Sequence, residues 1–345
     1  MPGMMLRDAL AQLVEGRNLS LDQAESAMTE IMTGAATDAQ IAGFMVALRS
    51  KGETVDEITG LARAMRIKST RVSTRAPWVI DVCGTGGDGQ STFNISTTVS
   101  FVAAGAGCVV AKHGNRCVSS RCGSADVLEE LGVCLHLDPA AVGRCIDELG
   151  IGFLYAPHLH PAMRHAVRPR REMGIRTVFN LLGPLTNPAR AHAQLLGVYD
   201  ASYTEPLARV LQALGGRSAL VVHGGGGLDE LSTVGPSQVT QLMENRIESF
   251  ILDAASLGLP PASLADLRGG DARENASILR GILEGEPGPK RDIVLLNTAG
   301  VLVISGRATG FSDGLLMAAE SIDSGAALGR LDALVSLTQR LGEAP

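Results

Sequence analysis

Asp81-Val-Cys-Gly-Thr-Gly-Gly-Asp-Gly89 follows the apolar run Trp78–Val82 and precedes Thr92-Phe-Asn-Ile-Ser-Thr97. The run is strand-like and residues 95–106 are small and helical in pattern, so the stretch reads as a strand–turn–helix joint. Four glycines within 84–89 let backbone N–H groups approach a ligand. The helix start adds partial positive charge and unpaired donors, a combination that suits phosphate. Asn94 is placed to cap that helix or to hold a ligand, and Ser96 and Thr97 add hydroxyls. A plain tight turn is the alternative, but the flanking elements and dense hydroxyls favour a binding loop. Neither GxGxxG nor GK[ST] is present, which argues against nicotinamide enzymes and P-loop NTPases.

Downstream, a second apolar run at 108–111 leads into Lys112-His-Gly-Asn-Arg116 and then Ser119, Ser120 and Ser124. Residues 112–121 carry Lys112, Arg116 and Arg121 and no acid, a local +3. Two successive strand–loop–helix units put both loops at the carboxyl ends of adjacent strands, where open α/β sheets bind ligands. His113 alone says little about acid–base chemistry and is as well explained by packing. Further helix-like stretches (124–131, 139–149, 203–214) alternate with strand-like ones (151–155, 195–199, 218–222), the pattern of a mainly parallel sheet flanked by helices. Residues 238–252 read as strand, 271–284 and 311–328 as helix, and 292–304 as either. The run after residue 221 ends in four glycines and delivers Asp229 and Glu230. Paired carboxylates near a phosphate site point to Mg²⁺, although adjacent acids also occur in solvated turns.

Upstream of the decisive stretch, residues 5–70 show only one-sided helical spacing: Leu6, Leu10, Leu13; Leu21, Ala24, Met28; Ile41, Phe44, Leu48; Ile58, Leu61, Met65. Ser20/Gln23, Thr37/Gln40 and Thr54/Glu57 have capping-box spacing. This predicts a small all-helical domain over 1–74. The block 160–190 interrupts the α/β alternation with five arginines and one glutamate between 164 and 176, and then with Asn180–Pro188, rich in Asn and Pro. The expectation is that about 160–192 completes the helical domain, leaving 75–159 and 193–345 as the large α/β domain. Arginine pairs bidentately with carboxylates, so one member of the cluster can select an acidic substrate while the others are solvated or paired.

Of the 345 residues, 41 are glycine, about 12 % against a usual ~7 %. With 45 % hydrophobic residues the chain is neither disordered nor, lacking a three-residue glycine period, collagen-like. The net charge of -6 argues against a nucleic-acid-covering surface but allows an anion held by local cations. No apolar run reaches membrane-span length, and residues 1–20 lack a signal-peptide layout, so a cytoplasmic protein is expected. The six cysteines form no CxxC pair and read as reduced thiols rather than metal ligands.

In order along nearly the whole chain, GTGGDG (84–89), TFNIST (92–97), KHGNR (112–116), GSADVLE (123–129), HPAMR (160–164), FNLLGPL (179–185) and GLDE (227–230) resemble the anthranilate phosphoribosyltransferase family; Asn275-Ala276 and Leu296-Asn297 match too. Single motifs are shared with pyrimidine nucleoside phosphorylases, whereas the ordered set is specific. The resemblance implies a homodimer joined through the helical part. It also implies Mg²⁺-dependent transfer of phosphoribosyl from 5-phosphoribosyl 1-pyrophosphate (PRPP) to anthranilate. Gly84, Gly87, Asp88, Thr92, Asn94, Ile95, Ser96 and Thr97 would line the PRPP site. Lys112, His113, Gly114, Asn115, Arg116, Cys117, Val118, Ser119, Ser120 and Ser124 would continue it. Ser96, Asp229 and Glu230 would hold the metal, and Gly84, Asn115 and Arg170 would contact anthranilate, with Arg170 facing its carboxylate. No general base is implied, because an aryl amine is neutral at pH 7. Two readings compete with this one: a pyrimidine nucleoside phosphorylase, and a non-catalytic nucleic-acid-binding relative. Positions 225 and 226 are glycine where relatives often carry something polar, a departure that would loosen the acidic loop.

Overall fold

A computed structural model describes residues 4–116 and 121–343. Four helices open the chain: α1 (Met4–Val14), α2 (Leu21–Met32), α3 (Asp38–Lys51) and α4 (Val55–Lys68). The three capping boxes form at Ser20, Thr37 and Thr54, satisfying N-terminal donors reciprocally. Glu57 does more than cap. Fully buried, its carboxylate accepts from Leu19 N (2.9 Å), Thr54 N (2.8 Å) and Lys51 Nζ (2.9 Å), tying α4 to α3 and to the start of α2.

The α/β part continues with β1 (Ile80–Gly84), α5 (Ile95–Gly105), β2 (Val110–Gly114), α6 (Ser124–Glu130), α7 (Pro139–Leu149) and β3 (Ile151–Tyr155). Three short helices follow, α8 (Ala156–Leu159), α9 (Arg164–Met173) and α10 (Val178–Leu182). The sheet then resumes with β4 (Ala193–Gly197), α11 (Thr204–Ala213), β5 (Ser218–His223), β6 (Ser237–Met243) and β7 (Arg246–Leu252). Helices α12 (Ala272–Leu283), α13 (Pro289–Ile304), α14 (Phe311–Asp323) and α15 (Ala326–Gly342) complete the chain. The seven strands lie in the order β3-β2-β1-β4-β5-β6-β7; the first five are parallel and β6 and β7 form an antiparallel edge hairpin.

Three elements differ in detail from the sequence reading. Residues 238–252 fold as two strands, because Glu244 and Asn245 both take positive φ (50° and 63°) and make a tight turn. Residues 292–304 lie in the 16-residue helix α13, buried on nearly every side from Ile293 to Leu302, so periodicity could not separate helix from strand. The helix over 311–328 breaks at Ser324-Gly325.

Two apolar clusters flank the sheet. One joins α5, α12, α13, α14 and α15 to one sheet face. The other joins α1–α4 to Ala166, Val178, Phe179, Leu182 and Leu185, and to Leu196, Val198 and Val221 of the opposite face. Helix α9 packs on α3, and Arg66 of α4 donates to Leu185 O (2.6 Å) and Leu214 O (3.0 Å). On the carboxyl side of the sheet, Arg49 of α3 donates to the Tyr203 hydroxyl just past β4 at 2.9 Å.

Candidate active site

β1 ends at Gly84, and Gly86, Gly87 and Gly89 take left-handed φ values (67°, 73° and 79°) that fold the loop back over the sheet edge. Gly86 N–H donates to Asp229 Oδ2 at 2.8 Å, and Thr85 N–H donates to Gly197 O at 2.9 Å. A Cβ at Gly84 or Gly197 would collide with Asp229, so both glycines admit that residue to the strand ends. Arg176 donates to Gly87 O while its guanidinium stacks 4.6 Å from the Tyr199 ring centre. Asn94 does not cap α5. Its Nδ2 donates to Cys122 O (3.2 Å) and its Oδ1 accepts from Asn275 (2.9 Å), so it braces two loops. That contact accounts for Asn275, which sequence reasoning noticed without a role. Thr92 pairs with Arg268 in a short bridge, Ile95 is core, and Thr97 is buried in the first turn of α5.

Lys112 is buried, and its Nζ donates to Val82 O (2.7 Å) and Ser96 Oγ (3.1 Å). His113 is buried as well. Its Nε2 lies 3.1 Å from His160 Nε2, and burial is the first of several causes that push its pKa well down. Gly114 lies against Ser124, whose hydroxyl donates to Asn115 O at 3.3 Å. Asn115 is exposed at the sheet edge. The Arg116 guanidinium is committed to Glu129 (2.7 Å), Asp126 (3.1 Å) and Tyr155 (3.2 Å). Cys117, Val118, Ser119 and Ser120 lie outside the described residues.

The acidic loop is held at both ends. Gly224 N–H donates to Leu228 O (2.8 Å), and the buried Asn297 side chain both donates to and accepts from the Leu231 backbone (2.8 and 2.9 Å). Ser232 Oγ adds a bond to Gly225 O at 2.7 Å. The loop with its two extra glycines is thus anchored rather than loosened. Burial, reinforced by the neighbouring Asp88 carboxylate, pushes Asp229 up to about 7. Burial followed by Asp229 pushes Glu230 well up, while Lys112 and the Ser96 N–H oppose that rise. Asp88, Asp229 and Glu230 thus crowd one edge, where the neighbouring negative charge adds to burial in raising Asp229 and Glu230, the electrostatic state a divalent cation would relieve. Among the described residues no cluster of three His, Cys, Asp or Glu is arranged as a closed metal cage. An adjacent Asp229–Glu230 pair with the Ser96 hydroxyl nearby has the chemistry of a partial Mg²⁺ site, since that hard ion takes one or two carboxylates and keeps water or phosphate oxygens in its remaining positions.

The arginine cluster divides. Arg164 and Arg171 are exposed, and Arg168 pairs with Glu172 (2.8 Å) and Asp38 (3.5 Å). Arg176 reaches the glycine loop, a role its position in a charge run concealed. Arg170 is half-buried 5.2 Å from the Phe179 ring centre, makes no ion pair among the described residues, and has its pKa lowered by burial. An unpaired cation in that setting can take a carboxylate. Two cavities, about 450 and 390 Å³, lie elsewhere: one beside Trp78 and the end of α13, the other between Val55 and Arg209. Neither is lined by residues 84–97, 112–116 or 229–230.

Residues 7–69 match the glycosyl transferase family helical bundle domain, and residues 76–328 match the glycosyl transferase family a/b domain. An anthranilate phosphoribosyltransferase of Moorella thermoacetica is 55 % identical over 332 residues, covering 96 % of this chain and 98 % of the relative. The crystal structure of the Thermus thermophilus anthranilate phosphoribosyltransferase superposes with a TM-score of 0.92 at 42 % identity, covering 96 % of this chain and 99 % of that one. The Saccharomyces cerevisiae enzyme in complex with PRPP and Mg gives 0.89 at 29 % identity, covering 98 % and 99 %.

Proposed function

This chain belongs to the anthranilate phosphoribosyltransferase family and transfers phosphoribosyl from PRPP to the amine of anthranilate with Mg²⁺, in tryptophan biosynthesis, and we propose that it does so in the cleft bordered by residues 84–97, 112–124 and 229–230. The observation that carries this assignment is the convergence of Asp229 on Gly86 N–H and of Lys112 on Ser96, which draws together the loops after β1 and β5 and the end of β2. Breaking the bond from ribosyl C1 to pyrophosphate builds positive charge on the ring and negative charge on the leaving group. N–H groups of the 84–89 loop, the N-terminus of α5 and the Lys112 ammonium are fixed donors for that negative charge and need no reorganisation as it develops. Ser96, Asp229 and Glu230, with Asp88 beside them, would hold Mg²⁺, which supplies Lewis-acid stabilisation of the pyrophosphate. Arg170 takes the anthranilate carboxylate and Asn115 and Gly84 flank the ring, so the neutral amine meets C1 in line. No residue is needed as a strong base.

The helical unit in this reading is 1–74 completed by about 160–192, with 75–159 and 193–345 as the α/β unit. Exposed Val14, Val46 and Ile67 on the helical block support a homodimer joined there. No helix among the described residues is long and apolar enough to cross a membrane, and the reading places the enzyme in the cytoplasm. The test is direct: mix protein, PRPP, Mg²⁺ and anthranilate and follow the loss of anthranilate fluorescence. No loss, with phosphorolysis of thymidine or uridine instead, would overturn the reading in favour of a nucleoside phosphorylase.

A further inference from the structure

The seam between β1 and β2 is unlike its neighbours. Five residue pairs register β1 against β4 and five register β2 against β3, whereas β1 registers with β2 at Ile80↔Val110. There Ile80 N–H donates to Val109 O at 2.9 Å. Continued parallel pairing from that rung would join Val82 N–H to Ala111 O and His113 N–H to Val82 O. Three of those four groups are bonded to side chains. Asn187 Nδ2 donates to Ala111 O at 2.8 Å, Lys112 Nζ donates to Val82 O at 2.7 Å, and Asp81 Oδ1 accepts His113 N–H at 3.1 Å. Asp81 is fully buried and Asn187 and Lys112 are each 3 % exposed. Burying three such groups where a backbone ladder would serve is costly unless each is bonded. Here each is, so the arrangement is a built wedge.

The wedge sits directly beneath both phosphate loops. It turns Lys112 across the gap to Ser96 Oγ (3.1 Å) at the start of α5. Asn187 is itself locked, since its Oδ1 accepts Ala189 N–H at 2.8 Å, and it lies in the segment that returns from α10 to β4. We propose that Asp81 and Asn187 are positioning residues that hold the β1–β2 seam open, setting the separation of the 84–89 and 112–116 loops and the placement of Lys112 for PRPP. The inference rests on the reading of the cleft as a PRPP site.

Steady-state kinetics with both substrates, together with thermal midpoints, test it on wild type, Asn187→Ala and Asp81→Asn. Asn187→Ala removes a buried bond from the seam and should raise the KM for PRPP about tenfold, with the anthranilate KM changed less than about twofold. Asp81→Asn keeps one oxygen for His113 N–H but loses the charge and turns the carboxylate's second acceptor, which faces Cys83 Sγ, into a donor, so a rise of about threefold is expected. An active wild type with the Asn187→Ala PRPP KM unchanged, or with both KM values rising in parallel, overturns the proposal. Should Asn187→Ala fail to fold, Asp81→Asn decides, and an unchanged PRPP KM there overturns it. A wild type that consumes no anthranilate with PRPP overturns the functional reading instead.

Discussion

Replacing Arg170 by alanine should separate the two substrates. The guanidinium is half-buried on the Phe179 ring at 5.2 Å, and no carboxylate pairs with it among the described residues. Burial alone lowers its pKa, so the cation is partly desolvated, with the Phe179 ring face and no carboxylate as its partner among the described residues. A carboxylate ligand compensates that charge. Charge-assisted bonds of this kind contribute about 1.5–3 kcal/mol, which converts to roughly 13- to 160-fold in kcat/KM for anthranilate. The PRPP KM should stay within about twofold, and the thermal midpoint should hold or rise, because an unpaired buried charge is removed. Arg170→Lys should recover only part of the loss, since an ammonium cannot make the bidentate pair. The assay is anthranilate fluorescence decay, repeated with anthranilamide, which has the amine without the carboxylate. Wild type should discriminate against anthranilamide by about the same factor, and Arg170→Ala should erase that preference. If the variant keeps its anthranilate KM, or still prefers the acid to the amide, Arg170 does not face the carboxylate.

Two further outcomes follow from the site's electrostatics. Removing the acidic pair (Asp229→Ala with Glu230→Ala) should flatten the Mg²⁺ titration and cut kcat/KM by about 100-fold or more; surviving metal response would leave those residues as a structural turn. Burial holds His160 down to about 4, against 6.5 for a free imidazole, so between those values the unfolded chain binds more protons and stability falls as pH drops from 6.5 towards 4. For His160 alone the loss at pH 5 is about 2 kcal/mol. Urea unfolding at pH 8 and pH 5 should show the acid loss reduced by that amount in His160→Gln, and an unchanged difference would refute the assignment.

Much of this was legible in the chain because it is local. Capping boxes at Ser20, Thr37 and Thr54 involve residues three apart, and the glycine loop sits between a strand and a helix that announce themselves by pattern. The acidic pair followed for the same reason, with Asp229 and Glu230 adjacent after a strand end. Less legible were α13, apolar all round, and the edge hairpin, whose turn uses Glu244-Asn245 without a glycine.

The roles of individual polar side chains had no local signature. Arg116 and Arg176 stand in similar basic surroundings, yet one is committed to Glu129 and Asp126 while the other reaches Gly87 of the glycine loop. Asn94 looked like a helix cap and became a brace because Asn275, far along the chain, came within 2.9 Å. Asp81 read as one polar residue in an apolar strand; its partners on β2 became available only when β1 and β2 lay side by side. Periodicity and turn chemistry act over a few residues and so write the elements, the loops and the family into the chain. Which charges pair with one another and which face the cleft depends on distances between residues tens to hundreds of positions apart, and those distances exist only in the folded molecule.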